Sequence, residues 1–319
     1  MSDLVSNPNK NATISFAAGS GKFEKMAVYL AKSINNNTSY RSVVFIPESE
    51  IDDISDNSLS LFDELCTDVV QGETTIPDYG QSAKLDAFAI AADRYAPPHI
   101  LVDTDVLVFD SPSIQFTEAD VFAKPVDIGA QYWGSQAAIS EWREIYSSHG
   151  FEFPNTRTQS TVDGRQILPY YNAGVVATSR SDIPQQWLEL TDSVFSQITQ
   201  PFYADQVSLA MIMSKFEHEE LTERENYPAS VRTLFPSDIS ILHYHHWDTL
   251  YRAKFSRYHT TLNDIGVTNG LAKSGTEQLR CYTKSLKRVF DYRAKKQVKR
   301  KIINDLPPDI VEKLRRWKP

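Results

Sequence analysis

Residues 100–110 read "ILVDTDVLVFD", and two carboxylates, Asp103 and Asp105, sit one residue apart inside an otherwise apolar run. The centre of a buried strand is a costly place for paired negative charge, because each dehydrated carboxylate needs a compensating partner. In an open α/β sheet, ligands gather beyond the carboxyl ends of the strands. Asp103-Thr104-Asp105 lies where one apolar run ends and the next begins, a natural place to turn side chains toward that edge. Two acids so placed repel each other unless a cation lies between them. Oxygen ligands suit Mg²⁺ or Mn²⁺, and a diphosphate can complete the coordination shell. The alternative is a surface turn whose acids are merely solvated. The flanking "HILV" and "VLVF" weigh against that alternative.

Working outward, "TISFAA" (13–18) reads as a buried strand, followed by the flexible "GSGK". Residues 22–34 place Phe23, Met26, Ala27, Leu30 and Ile34 at helical spacing, and "SVVFIP" (42–47) is a second strand stopped by Pro47. This β-α-β start predicts an α/β fold with a doubly wound parallel sheet. Residues 48–60 are predicted as a polar loop or insertion and "TDVVQG" as a short strand. Ser82 is expected to cap a helix over 83–95, and "HILVDTDVLVF" to form the central strand of this half. Beyond it, "DVFAKP" and "DIGAQYW" are strand-like, and residues 135–150 are helical. Residues 151–169 are irregular, with the character of a mobile loop over a site. "YYNAGVVATS" (170–179) is a strand, 183–199 and 203–216 are helices, and "ISILHYHHWD" is a strand running into a histidine cluster.

The formal net charge of -8 hides an asymmetry. Residues 251–319 carry 18 Lys/Arg against 6 Asp/Glu, whereas residues 1–250 carry 15 against 35. So acidic a body argues against a nucleic-acid partner. Two cysteines, Cys66 and Cys281, imply no disulfide framework and suit a reducing compartment. With no signal-like start and no apolar run of spanning length, a cytoplasmic location is expected, and the N-x-[ST] matches at Asn11, Asn36 and Asn37 are expected to stay unmodified. The chain divides into a body over 1–250 and a basic, mainly helical C-terminal extension over 251–319. Within the extension, residues 284–301 carry nine basic residues, one acid and a partial apolar stripe of Leu286, Val289, Phe290 and Val298. That stripe reads either as a helix packed on the acidic body or as a peripheral contact with an anionic membrane.

"HILVDTDVLVFDS" resembles the D-x-D strand of the GT-A glycosyltransferases, especially family 8, which includes glycogenin and bacterial galactosyltransferases. In the same order, "AKLDAF" (83–88) resembles the basic helix start that precedes that strand. "YYNAGVVATS" resembles the F-N-[AS]-G-V strand, and "ADQVSLAM" (204–211) the D-Q helix start. "ILHYHHW" is a looser match to the late I-x-H-F strand, so the resemblance spans residues 13–247. It implies a nucleotide-diphospho-sugar transferase fold, Rossmann-like, with a mixed sheet flanked by helices and the catalytic domain in residues 1–250.

It also implies site residues. Asp103, Asp105 and His243 would hold Mn²⁺ or Mg²⁺, with His245 the fallback ligand. Ala17, Ala18, Gly19, Lys84, Thr104, Asn172, Ala173 and Gly174 would join the two aspartates around a nucleotide-sugar donor, UDP-linked. Asn172, Asp205 and Gln206 would act at the transferred sugar, with retention of anomeric configuration. The acceptor would be a glycan or a lipid-linked glycan, which gives the membrane reading of the tail its purpose. Each residue has a plainer reading too: Lys84 as a solvated helix lysine, Asp205 as a helix-start acid, Asn172 as an amide satisfied by backbone, the histidines as polar surface. The chain departs from the family after His243, because "HYHHWDTLYRAK" lacks the expected glycine and Lys-Pro-Trp. The cation for the pyrophosphate is therefore open, with Arg252, Lys254 and Arg257 as candidates. Two rival readings share the fold: a sugar nucleotidyltransferase, for which "AAGSGKFEK" is only a faint phosphate loop, and a noncatalytic nucleotide-sugar-binding protein.

Overall fold

The computed structural model describes residues 12–129, 139–254, 256–271, 274 and 276–290. A seven-stranded mixed sheet runs in the order β10-β6-β9-β4-β1-β2-β3. Its strands are β1 (Thr13–Ala17), β2 (Arg41–Pro47), β3 (Asp68–Gly72), β4 (His99–Val102), β6 (Val121–Pro125), β9 (Tyr171–Thr178) and β10 (His218–Glu220). β1 pairs in parallel with both β2 and β4, as the β-α-β start predicts, and β9 runs antiparallel between β4 and β6.

Alternation along the strands builds a core on each face. Leu101, Val121, Ala123 and Val176 point to one side, where α3 (Ser82–Arg94), α5 (Asp182–Phe195) and α6 (Ala204–Lys215) pack. Ile100, Val102, Phe122, Val175 and Ala177 point to the other, against α1 (Lys22–Asn37) and α2 (Asp56–Leu65). The period of two sends alternate residues to opposite faces, so both faces are apolar and both are covered.

The central run is not one strand. β4 ends at Val102, residues 103–105 turn, and β5 (Val106–Val108) leaves the main sheet to pair antiparallel with β12 (Ile241–His243) in a small sheet completed by β11 (Tyr227–Pro228). The apolar flanks are real, but they belong to two sheets. The turn between them places Asp103 and Asp105 at the carboxyl edge.

Other expectations are corrected. The polar stretch 48–60 holds a 3₁₀ turn over Glu48–Asp53 and the start of α2. Ser55 caps that helix by accepting from the Ser58 N–H, and Phe62 buries it. Ser82 is not a cap: its Oγ accepts from the Ile76 N–H and donates to Asp86. Residues 127–129 form no strand, and 130–133 lie outside the described residues. Residues 151–169 carry a small hairpin, β7 (Thr158–Gln159) and β8 (Gln166–Ile167), anchored by buried Ser160 and Asp163. The strand at 239–248 stops at His243, and His245 turns the chain with φ 53°. Helix α4 (Ile139–Ser148) and those at 182–195 and 204–215 form where their periodicity predicts.

Residues 249–271 form three short helices that share a third apolar cluster with Met26, Tyr29 and Leu107. A helix over 276–290 follows, tied to them by the Arg252 guanidinium donating to Ser285 at 2.8 Å and by Arg288 paired with Asp248. Among the described residues no helix is long and apolar enough to cross a membrane.

Candidate active site

A cleft of about 380 Å³ opens at the carboxyl ends of β1 and β4. The residues that the family resemblance assigned to donor, metal and catalysis line it: Ala17, Ala18, Gly19, Lys84, Asp103, Thr104, Asp105, Asn172, Ala173, Gly174, Asp205, Gln206 and His243. His245 lines it as well. The 103–105 turn is fixed by backbone on both sides. The Asp103 N–H donates to the Gly174 carbonyl at 2.8 Å, and the Asp105 carbonyl accepts from the Tyr244 N–H at 3.1 Å. Between them the Thr104 hydroxyl donates to the Ala17 carbonyl at 2.8 Å, joining the turn to the end of β1.

Asp103, Asp105 and His243 offer ligand atoms that all lie within 4.8 Å of one another. His243 Nε2 stands 3.1 Å from Asp105 Oδ1 and 3.9 Å from Asp103 Oδ2. Gly174 makes this possible, because a Cβ there would collide with the His243 ring. The ring is steered from behind: Nδ1 meets Asn226 Oδ1 at 3.2 Å, and the Asn226 amide donates to Asn172 Oδ1 at 3.0 Å. Asn172 Oδ1 also accepts from the Gly174 N–H at 2.9 Å. His245 stacks on His243 with centroids 3.8 Å apart, but it stands outside the ligand cluster.

Lys84 is buried and holds two acids at once, Asp103 Oδ1 at 2.8 Å and Asp205 Oδ2 at 2.9 Å, with the Ala173 carbonyl at 3.2 Å. Its three ammonium protons are thereby matched to three acceptors. Asp205 is set by its own backbone: its N–H donates to the Tyr79 hydroxyl at 3.0 Å, and its carbonyl accepts from the Trp187 indole at 3.0 Å. Gln206 Oε1 is buried and has no hydrogen-bond partner among the described residues.

The protonation behaviour follows from this crowding. Burial pushes the Asp103 carboxyl up, Lys84 draws it down, and Asp105 adds to the rise, so it ends above the usual carboxylate range. Burial opposes charge on Asp105 as well, but His243 wins and holds it low. His243 is raised because Asp105 and Asp103 outweigh its burial. His245 is pushed down to about 3 by burial and by the neighbouring imidazole. Lys84 stays above the ordinary lysine range because Asp103 and Asp205 outweigh burial.

Sequence reasoning missed several participants. Tyr79 and Asn226 carry no motif and act only through long-range contacts. Phe202 and Tyr203 line the cleft immediately before "ADQ", and that adjacency was a usable signal. Arg252, Lys254 and Arg257 do not line the cleft. Arg252 is buried against Ser285 and the Arg232 carbonyl, Lys254 donates to Gln278, and Arg257 lies over Tyr258. Among the described residues, Lys84 is the only lysine or arginine lining the cleft.

A search of curated proteins finds no match. Among solved structures, the galactosyltransferase LgtC bound to donor and acceptor sugar analogs is similar at 14% identity and a TM-score of 0.50, over 85% of this chain and 99% of that one. The glycosyltransferase GlyE of Streptococcus pneumoniae aligns at 16% identity and a TM-score of 0.47, over 86% of this chain, which spans 63% of GlyE. The Rhodobacterales glycosyltransferase domain profile matches residues 14–217. That match takes in more than half of the chain, including the D-x-D turn, the Asn172–Gly174 segment and Asp205-Gln206. The chain belongs to the Rhodobacterales glycosyltransferase domain family and is a glycosyltransferase of GT-A fold.

Proposed function

We propose that the protein transfers a sugar from a nucleotide-diphospho-sugar, UDP-linked, to a glycan or lipid-linked acceptor, using a divalent cation held by Asp103, Asp105 and His243. The observation that carries this reading is the convergence of those three side chains, next to the Lys84-bridged Asp205, in one cleft. The donor set fits such an ion. Two carboxylates and an imidazole bring ligand atoms within 4.8 Å of one another, and the charge on Asp105 disfavours that on Asp103 unless a cation intervenes. Oxygen and imidazole ligands suit Mn²⁺, with Mg²⁺ the alternative. When bound, the ion supplies positive charge to the leaving diphosphate.

The chain's own residues do the rest. Lys84 clamps Asp103 and Asp205 in fixed relation, so that the acid at the sugar and the acid at the phosphates move together. Gln206 presents an unpaired buried carbonyl oxygen suited to accepting a sugar hydroxyl. Asn172 Oδ1 already accepts two hydrogen bonds, which leaves its amide nitrogen for the ligand. In the transfer, the bond from anomeric carbon to diphosphate oxygen breaks and one to the acceptor oxygen forms. The acceptor proton passes to the leaving diphosphate, so retention needs no separate base. Retention is supported by the likeness at Asn172 and Asp205-Gln206.

The test is hydrolysis of a panel of nucleotide sugars without acceptor, with and without Mn²⁺. A UDP-sugar consumed only with the metal, giving UDP and a first-formed sugar of retained configuration by proton NMR, is expected. Metal-independent turnover or an inverted product overturns the corresponding part. Pyrophosphate-dependent release of a sugar 1-phosphate would instead mark a nucleotidyltransferase.

The helix over 276–290 favours a membrane-proximal acceptor. Ser285 and Val289 are buried on its inner face, while Leu279 and Phe290 are exposed together with Arg280, Lys284 and Lys287. Basic groups interleaved with exposed apolar ones suit an anionic bilayer surface. Residues 291–301, the remainder of that basic run, lie outside the described residues. Cosedimentation with anionic vesicles at low salt, reduced in a Lys284→Glu/Lys287→Glu variant, is expected. Protein that stays in the supernatant assigns the helix to structure alone.

A further inference from the structure

The cleft has a second acidic feature, away from the metal cluster, that no motif announced. β2 ends at buried Pro47, and the 3₁₀ turn over Glu48–Asp53 folds Glu50 back toward the end of β1. Glu50 Oε2 accepts from the Ser20 N–H at 2.6 Å. It occupies the space beside Gly19 so closely that a Cβ on Gly19 would stand 2.8 Å from that oxygen. The φ of Gly19 lies outside the left-handed region, so glycine is needed there for room and not for backbone shape. Glu50 lines the cleft among Ala17, Ala18, Gly19, Phe23 and Pro47, which bring small or apolar surface and no cation. Lys84, the one lysine lining the cleft among the described residues, is already committed to Asp103 and Asp205.

A chain of contacts relates this carboxylate to the metal turn. Thr104, between the two metal-site acids, donates to the Ala17 carbonyl, and Ala17 leads through Ala18 and Gly19 to Ser20, which Glu50 holds. A nucleoside diphosphate with its phosphates at Asp103 and Asp105 would extend its nucleoside along this path. An ionised carboxylate only accepts hydrogen bonds. With Oε2 engaged by Ser20, Oε1 remains for a ligand's donor.

Resting on the nucleotide-sugar reading above, we propose that Glu50 is the residue that recognises the nucleoside of the donor. Its carboxylate accepts a hydrogen bond from an N–H of the base or from a ribose hydroxyl. Where the donor is the ring imino N–H, the site favours uracil or guanine, whose imino N–H points outward. Cytosine and adenine present a ring-nitrogen lone pair there, which a carboxylate repels.

Calorimetry on the full chain tests this, with Mn²⁺ present throughout and UDP compared with inorganic pyrophosphate, which has no nucleoside. Glu50→Gln keeps the shape and an acceptor for Ser20. It is expected to weaken UDP binding by about tenfold or more, the scale of a hydrogen bond to a charged group, while pyrophosphate binding stays within about twofold. Gly19→Ala, which displaces the carboxylate by its added methyl, is expected to give the same split. In the wild type, weakened binding of N3-methyl-UDP assigns the base as the source, and weakened binding of 2′-deoxy-UDP assigns the ribose. Unchanged UDP affinity in Glu50→Gln overturns the proposal. Equal losses for UDP and pyrophosphate overturn it too, because Glu50 is then only a brace for the β1–α1 turn. Wild-type protein that binds pyrophosphate but none of UDP, GDP, CDP and ADP removes the nucleotide-sugar reading itself, a result separable from any variant.

Discussion

Two clusters of buried charge lie at the ends of β6 and β4, on either side of β9 in the main sheet, and they are built on opposite principles. At the end of β6, Lys124 is wholly buried and pairs with Asp127, three residues on, with Thr161 completing the ammonium's contacts. One cation meets one anion, and Lys124 holds the Asp127 carboxyl below the usual range although burial pulls the other way. Beyond β4, Asp103 and Asp205 share the single ammonium of Lys84, and a third carboxylate, Asp105, stands beside Asp103 against His243. Three carboxylates thus face one ammonium and the His243 ring, and Asp103 is raised by its burial first and by Asp105 beside it. The balanced cluster is finished by the protein itself. The unbalanced one keeps a surplus of negative charge, which in the function proposed above a cation from outside would meet.

The largest expected effect tests the balanced cluster. Lys124→Met leaves Asp127 buried without its cation and should cost about 3–5 kcal/mol of unfolding free energy in urea. The double variant Lys124→Met/Asp127→Leu should regain most of that loss, because an apolar pair replaces a desolvated ionic one. A neutral Lys124→Met would erase the distinction between the two clusters.

Asp105→Ala sharpens the other half. Removing one of the crowded acids should leave the metal-free melting temperature within a few degrees of wild type, since repulsion is lost along with the His243 contact. It should also weaken Mn²⁺-dependent UDP binding at least about a hundredfold, about 2.7 kcal/mol. Wild-type protein should gain melting temperature on adding Mn²⁺ and UDP, and the variant should not. An equal gain in the variant would take Asp105 out of the site.

The smallest effect concerns His99, at the opposite end of β4 from Asp103. It is fully buried, neither ring nitrogen has a partner among the described residues, and burial alone lowers its pKa to about 4. Its folded pKa lies below the unfolded value, so the folded state binds fewer protons between these two values. Stability is therefore undiminished above about pH 6.5 and lost as pH falls toward about 4, by about 2 kcal/mol at pH 5. His99→Leu should flatten this stretch of the stability–pH curve. A curve of unchanged slope would show that other groups carry the acid limb.

Much of the site was legible because the chemistry is concentrated in short segments. Asp103-Thr104-Asp105, Asn172-Ala173-Gly174 and Asp205-Gln206 each place polar groups where an apolar element begins or ends, and all of them meet in the cleft. The glycine of the second segment has a reason the sequence could not supply, since it makes room for an imidazole 69 positions later in the chain. Among the described residues His243, and not His245, joins the two aspartates in one cluster. The two rings share a side because His245 turns the chain at positive φ, not because a strand alternates through both.

The amino-acid sequence by itself determined where apolar periodicity makes strands and helices, because that signal is local and each element must bury its own face. It also determined that the carboxylates would sit at strand ends. Only the tertiary structure decided that "VLV" after the D-x-D crosses into a second sheet to meet β12. The same level of structure brought Asn226 behind His243, set Tyr79 under Asp205, and folded Glu50 across the end of β1. These contacts join residues separated by 17 to 137 positions, and no short window of sequence contains both partners. They are fixed by how the loops close once the two faces of the sheet are covered. The same apolar run could continue as one strand or break into two, and the choice falls to the arrangement that pairs the backbone of β5 and brings the acids together at one edge.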